Sequence, residues 1–209
     1  MNKYINIVLI FIALMIVFPI HSQNVKCEIL DNVIKEYDKS KGVCANFNIQ
    51  TEGNGYVSVV DGKIFLKGWI FAFNTEEMEC GYDGKTLWTY IKNNEEINLS
   101  CPDEEEIINI NPYLLFKNHN NRFNCSYKGR NGNLEIITLS TKNSNDNISN
   151  VEITINNKLL YPTKIKIDNK DQSKVIINVS DYNNNVNIDK NKFLFNEKQY
   201  PNIEIIDLR

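Results

Sequence analysis

Histidine is almost missing from this 209-residue chain, with His21 in an N-terminal apolar leader and only His119 beyond it. The cysteines, Cys27, Cys44, Cys80, Cys101 and Cys125, contain no Cys-x-x-Cys spacing, so a zinc site lacks its usual ligand groups. Positive charge is not in excess: 23 Lys and Arg stand against 26 Asp and Glu, a formal net charge of −3. That acidity is spread along the chain, which excludes the basic footprint of a nucleic-acid-binding protein. No nucleophile is set beside a base and no pair of carboxylates shares an apolar setting. Cys125 and His119 could in principle make a thiol–imidazole pair, but one belongs to a strand pattern and the other to a polar loop of asparagines, so none is expected. The stretch DNKDQS at 168–173 lacks the glycine and distal glutamate of a calcium loop, and a hairpin turn explains it. The acidic run DEEE at 103–106 reads as a helix cap and solvated first turn rather than a metal or acid/base site. Internal repeats are absent too. Together these gaps point away from an enzyme and give no reason to expect a cofactor or metal.

The chain opens with Asn2 and Lys3, an apolar run over 4–20, then His21, Ser22, Gln23 and Asn24. This is the pattern of a secretory signal peptide, with cleavage expected near Ser22. The run falls short of the roughly 20 residues that a spanning helix needs. Residues 23–209 are expected to form one exported domain. An odd number of cysteines leaves at least one thiol unpaired. One disulfide among small buried thiols is the plain expectation, and the spacing leaves its partners open.

Hydrophobic periodicity predicts a helix over 27–39, with Leu30, Val33, Ile34 and Tyr37 on one face. The period then becomes two: Val43, Ala45, Phe47 and Ile49 mark a half-buried strand. A second strand is expected over 56–60, with Asp61-Gly62 as a hairpin turn into a third over 63–75. In that third strand Phe65, Trp69, Phe71 and Phe73 share one parity, and Ile64, Leu66, Ile70 and Ala72 the other. Both faces are apolar, so each must be covered. Strands at 78–82, 85–91 and 95–101 continue an antiparallel meander, joined by turns at Asp83-Gly84 and Asn93-Asn94. Ile107, Ile108, Ile110, Leu114, Leu115 and Phe116 then form a short apolar segment broken by Pro112, suited to lying across an apolar surface. Further strands are expected at 122–129, 133–140, 151–156, 163–168 and 174–180, and a last one at 203–208.

The aromatic stretch DGKTLWTY at 83–90 serves no acid, base or nucleophile. Together with GKIFLKG at 62–68, NPYLLF at 111–116, FLF at 193–195 and NIEIIDL at 202–208, it resembles the outer-membrane lipoprotein carrier proteins (LolA-like) of Gram-negative bacteria. The K-G form and the NPY segment are most similar to the Bacteroidetes branch. The resemblance implies a mainly β fold of α+β type, an incomplete antiparallel β-barrel (half-barrel) whose apolar cavity is covered by helices acting as a lid. It implies a cavity lined by Phe47, Ile49, Phe65, Trp69, Phe71, Phe73 and Trp88, with Ile107, Ile110, Leu114 and Leu115 in the lid. Lys67 stands where many family members carry an arginine that helps hold the lid, and lysine supplies a point charge without arginine's bidentate fork. Gly68 replaces a proline frequent at that place.

The implied activity is periplasmic transfer of lipoproteins from inner to outer membrane by a monomer that binds no nucleic acid. Triacylated lipoproteins are the cargo, an inner-membrane lipoprotein-releasing ABC transporter is the donor, and unloading goes to an outer-membrane acceptor or to the outer membrane itself. On this reading Phe71→Glu abolishes cargo binding while folding survives. A lipid- or lipopeptide-sensing module of the same architecture is the alternative. An exported lipid hydrolase would need a nucleophile and a base, which the sequence does not display.

Overall fold

The computed structural model describes residues 27–53, 55–117 and 119–209, so the expected signal peptide lies outside the described residues. The chain runs α1 (Glu28–Lys39), β1 (Val43–Gly53), β2 (Tyr56–Lys67), β3 (Ile70–Thr75), β4 (Met78–Tyr82), β5 (Leu87–Ile91) and β6 (Glu96–Ser100). Three short helices follow, α2 (Glu104–Ile110), α3 (Pro112–Lys117) and α4 (His119–Arg122). The rest is β7 (Phe123–Asn131), β8 (Leu134–Thr141), β9 (Ile148–Asn156), β10 (Tyr161–Asn169), β11 (Lys174–Asn183) and β12 (Glu204–Asp207). All twelve strands join one open sheet in the order β12-β6-β5-β4-β3-β2-β1-β11-β10-β9-β8-β7. It is an unclosed antiparallel barrel, as expected, except that β12 departs from the meander and pairs in parallel with β6.

Pairing sorts the side chains onto two faces. One carries Val43, Ala45 and Phe47 of β1, Ile64 and Leu66 of β2, and Phe71 and Phe73 of β3. It continues through Ile177, Ile165, Ile153 and Ile137 on the other half of the sheet. Leu30, Val33 and Tyr37 of α1 and Ile107, Leu114, Leu115 and Phe116 of α2 and α3 are buried in one cluster with Phe71, Ile137 and Ile153. The predicted first helix, the lid segment and the alternating strands therefore meet in a single core. Its apolar burial, at about 25 cal/mol per Å², is the dominant stabilising contribution.

The reverse face carries Phe65, Ala72, Gly81, Trp88 and Leu99 in register across β2 to β6. It is covered by the segment between β11 and β12: Ile188 and Phe193 pack with Ala72, Phe65 and Ile70, while Phe195, Tyr200 and Ile203 pack with Trp88 and Leu99. Both apolar faces of the predicted third strand are thus covered by the chain itself, one by helices and one by this C-terminal crossing.

The Asp61-Gly62 hairpin does not form. β2 runs straight through it to Lys67, and the chain reverses at Gly68 and Trp69, with Gly68 at φ +61°. Gly62 serves a different purpose, because it lies opposite Phe47 and a Cβ there would meet the Phe47 ring, with Cε1 at 2.9 Å. Gly81 plays the same part for Trp88, whose Cε2 would stand 2.7 Å from an added Cβ. We expect Gly81→Ala to cost about 1–3 kcal/mol, the usual penalty for overpacking. A urea midpoint equal to that of the wild type would show that the indole can move aside.

Asp83 closes the predicted 83–84 turn by accepting from the N–H groups of Lys85 and Thr86 at 2.8 Å each.

Candidate functional site

The site is the helix-covered face of the sheet and the helices upon it. α1 crosses this face between two anchors. At its start Cys27 is disulfide-bonded to Cys125 of β7, an edge strand. At its end the Tyr37 hydroxyl donates to Gly68 O at 3.0 Å. The pairing left open by cysteine spacing is therefore Cys27 with Cys125; Cys44, Cys80 and Cys101 are free thiols.

α2 starts as its sequence predicts. Asp103 accepts from the Glu106 N–H at 2.9 Å and Glu106 accepts from the Asp103 N–H at 3.0 Å, a capping box that explains the acidic run without metal chemistry. Pro112 opens α3, and Asn111 before it is wholly buried. The Asn111 carboxamide oxygen accepts from the Tyr113 N–H at 3.1 Å, and its Nδ2 donates to Trp69 O at 3.4 Å. Tyr113 stacks on Tyr37 with ring centroids 3.8 Å apart and donates its hydroxyl to Asp38. Burial raises the pKa of both tyrosines, and for Tyr113 the hydrogen bond to the Asp38 carboxylate adds to the rise. Both hydroxyls therefore stay protonated and act as donors.

These contacts make a polar latch between the helices and the β2–β3 turn, built from Tyr37, Asp38, Asn111, Tyr113 and two turn carbonyls. Lys67 is not part of it. It is exposed, and its parity places it on the reverse face with Phe65. A lysine reading alone could not reveal the latch, because its two acceptors on the turn are backbone carbonyls that the sequence does not display. The Asn-Pro-Tyr triplet at 111–113 was its one visible trace.

Among the residues expected to line the cavity, Phe47, Ile49, Phe71 and Phe73 lie on the helix-covered face. Phe71 is fully buried beneath the helices, whereas Phe47, Ile49 and Phe73 are half-buried, with Phe47 edge-on to Phe73 at 6.3 Å. Phe65, Trp69 and Trp88 do not join them. The turn at Gly68 and Trp69 breaks the parity on which their grouping relied: Phe65 pairs with Ala72 on the reverse face, and Trp69 is 62% exposed on the turn itself. Trp88 lies under the C-terminal crossing and donates its indole N–H to Phe193 O at 3.0 Å. Of the residues expected in the lid, Ile107, Leu114 and Leu115 are buried in the main core, and Ile110 packs at its margin.

Nucleophilic chemistry finds no support in the cysteines nearest the site. Cys125 is tied up in the disulfide, and burial pushes the Cys80 thiol up to about 12, against a smaller opposing effect of the Thr89 hydroxyl. His119 departs from the expected polar loop: it is 1% exposed in α4, with Nδ1 2.7 Å from Phe116 O and Nε2 3.8 Å from Asp31 Oδ1. No group of three or more metal-ligating side chains occurs among the described residues. Nor, among them, is any helix long and apolar enough to cross a membrane.

The geometry is thus an apolar sheet face covered by helices, with polar contacts tying α1 and α3 to each other and to the β2–β3 turn. No curated protein matches the chain. Its fold is similar to that of an uncharacterized conserved protein from Thermus thermophilus, at TM-score 0.56 and 12% identity over 86% of this chain and 97% of that one. A LolA superfamily protein from Nitrosomonas europaea aligns at TM-score 0.45 and 10% identity, over 79% and 97% of the respective chains. The family model for the outer membrane lipoprotein carrier protein LolA matches residues 20–171, and the chain belongs to that family.

Proposed function

We propose that this protein is a periplasmic carrier that takes the acyl chains of triacylated lipoproteins onto its helix-covered sheet face and delivers them to the outer membrane. The observation that carries this reading is the continuity of the apolar floor. Phe71 lies under the helices, while Phe73, Phe47 and Ile49 continue the same face half-buried. Acyl chains entering there displace Ile107, Ile110, Leu114 and Leu115 from the surface that they now cover.

Magnitudes favour such competition. Each methylene removed from water is worth about 0.8 kcal/mol, so long chains on an open apolar face would bind too tightly to be released. A lid that covers the same face in the empty protein subtracts its own burial from the net affinity. An inner-membrane lipoprotein-releasing ABC transporter would drive loading, and an outer-membrane acceptor would complete delivery. Catalysis has no part in this scheme. The functional unit is a monomer formed by residues 23–209 after removal of the leader.

Native mass spectrometry of the protein isolated from its own periplasm tests the reading, with a bound triacylated lipoprotein expected. Finding only free phospholipid would transfer support to a lipid-sensing role, and a reproducibly empty protein would overturn both.

The latch provides a second check. Asn111→Ala removes the cap of α3 and the bond to the β2–β3 turn, for a cost of about 1–2 kcal/mol in the closed state. Because closure competes with cargo, a fluorescent fatty acid should bind this variant several-fold more tightly than the wild type. Unchanged or weaker binding would show that the latch does not oppose cargo.

A further inference from the structure

The sheet has a third free edge besides β12 and β7. β2 pairs with β1 along its whole length, from Tyr56 opposite Gly53 to Leu66 opposite Val43. Its other side pairs with β3 only from Gly62 to Lys67, because β3 ends at Thr75. Among the described residues, the half from Tyr56 to Asp61 therefore has one unpaired side.

Unpaired edges invite strand addition, and folds normally blunt them with charge, bulges or brevity. The other two edges are blunted in these ways. β12 has four residues, with Glu204 and Asp207 exposed and Arg209 paired to Asp207. β7 is bulged between Tyr127 and Gly129 and carries exposed Lys128 and Arg130. The free half of β2 reads Tyr-Val-Ser-Val-Val, with no proline, bulge or charge before Asp61. Tyr56, Val57 and Val59 are open to solvent, at 68%, 59% and 56%, while Ser58 and Val60 are half-buried.

Parity identifies the groups on offer. Lys67 and Ile70 flank a two-residue turn and so form the hydrogen-bonded pair that closes it. Residues of the same parity, Val57, Val59 and Asp61, then direct their N–H and C=O groups toward the side that β3 leaves empty. Across the same two strands Val60 faces Ile49 and Gly62 faces Phe47, so this edge adjoins the half-buried end of the apolar floor.

We propose that the edge from Tyr56 to Asp61 takes up the extended peptide that follows the acylated cysteine of a cargo lipoprotein, adding it to the sheet as a further strand. The proposal rests on the carrier reading. The peptide is joined covalently to acyl chains seated on Phe47 and Ile49, which places it beside this edge, since strands lie about 4.8 Å apart. Strand addition also suits a carrier of many cargoes, because backbone hydrogen bonds grip a peptide without reading its sequence.

Binding of three probes tests the idea: a triacylated cysteine without peptide, the same cysteine with a six-residue peptide, and that lipopeptide N-methylated at alternate peptide bonds. The peptide should tighten binding roughly tenfold and N-methylation should remove the gain, as expected from a few net hydrogen bonds. Val59→Pro deletes an outward donor at an edge that tolerates proline, so it should lose the same tenfold while leaving acyl-cysteine affinity unchanged. If Val59→Pro misfolds, the N-methylated probe on wild-type protein still decides. Equal affinities for all three probes would overturn the edge proposal and leave the carrier reading standing. Failure of every probe to bind would overturn the carrier reading and this proposal with it. A wild-type dimer in sedimentation that Val59→Pro dissociates would assign the edge to a second copy and overturn the peptide role.

Discussion

Phe71→Glu is expected to fail to fold, not merely to lose cargo. Phe71 is 0% exposed and sits in the main cluster beneath the helices, with the Tyr82 ring 5.6 Å away. Truncating a buried phenylalanine typically costs about 3–5 kcal/mol, and an unpaired buried carboxylate adds its desolvation to that loss. A domain of this size has only about 5–15 kcal/mol to lose. The expectation from sequence, binding lost with folding kept, is therefore corrected by burial that the alternation pattern could not quantify.

Phe47→Glu is the variant that separates the two effects. Phe47 is half-buried at the uncovered part of the floor, so a carboxylate there reaches water and the fold should survive with a loss of about 1–2 kcal/mol. Acyl chains would still have to cover that charge, and displacement of a fluorescent fatty acid should show binding reduced at least tenfold. Circular dichroism melting beside the binding assay decides. A folded Phe71→Glu protein with an unchanged midpoint would remove Phe71 from the core, and full acyl binding by Phe47→Glu would remove Phe47 from the floor.

The second large effect belongs to the disulfide. Cys27 and Cys125 are 98 residues apart, and a cross-link closing about a hundred residues stabilises by about 4–5 kcal/mol in the chain-entropy model. Replacing both with serine should lower unfolding stability by that order in a urea titration. The loss has a local signature as well. Without the bond, α1 loses the covalent anchor at its start while the hydrogen bonds of Tyr37 and Asp38 still hold its end, so amides in its first turns should exchange faster than those near Tyr37. A double variant within about 1 kcal/mol of the wild type, with unchanged exchange in α1, would show that core packing of Leu30 and Val33 suffices to hold the helix.

The disulfide and the latch place the two ends of α1 under different control. A covalent bond holds the start to an edge strand, and hydrogen bonds hold the end to the β2–β3 turn. Opening is then expected to begin at the hydrogen-bonded end, where Asn111 and Tyr113 also meet the turn and α1. That end meets α3 through Tyr113, and on the proposed carrier reading α2 and α3 must move for acyl chains to reach Phe71.

Local chemistry made much of the molecule legible from sequence alone. The apolar stripe of α1, the capping box of α2, the Pro112 break, the Asp83-Gly84 turn and the alternation of Val151, Ile153 and Ile155 all depend on neighbours within a few residues. So did the mainly β class, and the motifs at 62–68, 83–90 and 111–116 carried the family resemblance. Tertiary structure alone decided which apolar residues form the floor. Asp61-Gly62 carries the local signal of a hairpin, but its glycine makes room for Phe47 on the neighbouring strand. The turn that forms instead, at Gly68 and Trp69, reverses the parity that had grouped Phe65 and Trp69 with Phe71. Trp88 went to the other face for a similar reason, since Gly81 opposite it leaves space for the indole and Phe193, 105 residues away, supplies its acceptor. Alternation reports that a residue faces one of two sides. Which side becomes floor and which lies under the C-terminal crossing depends on contacts between distant segments, and these exist only once the sheet has formed.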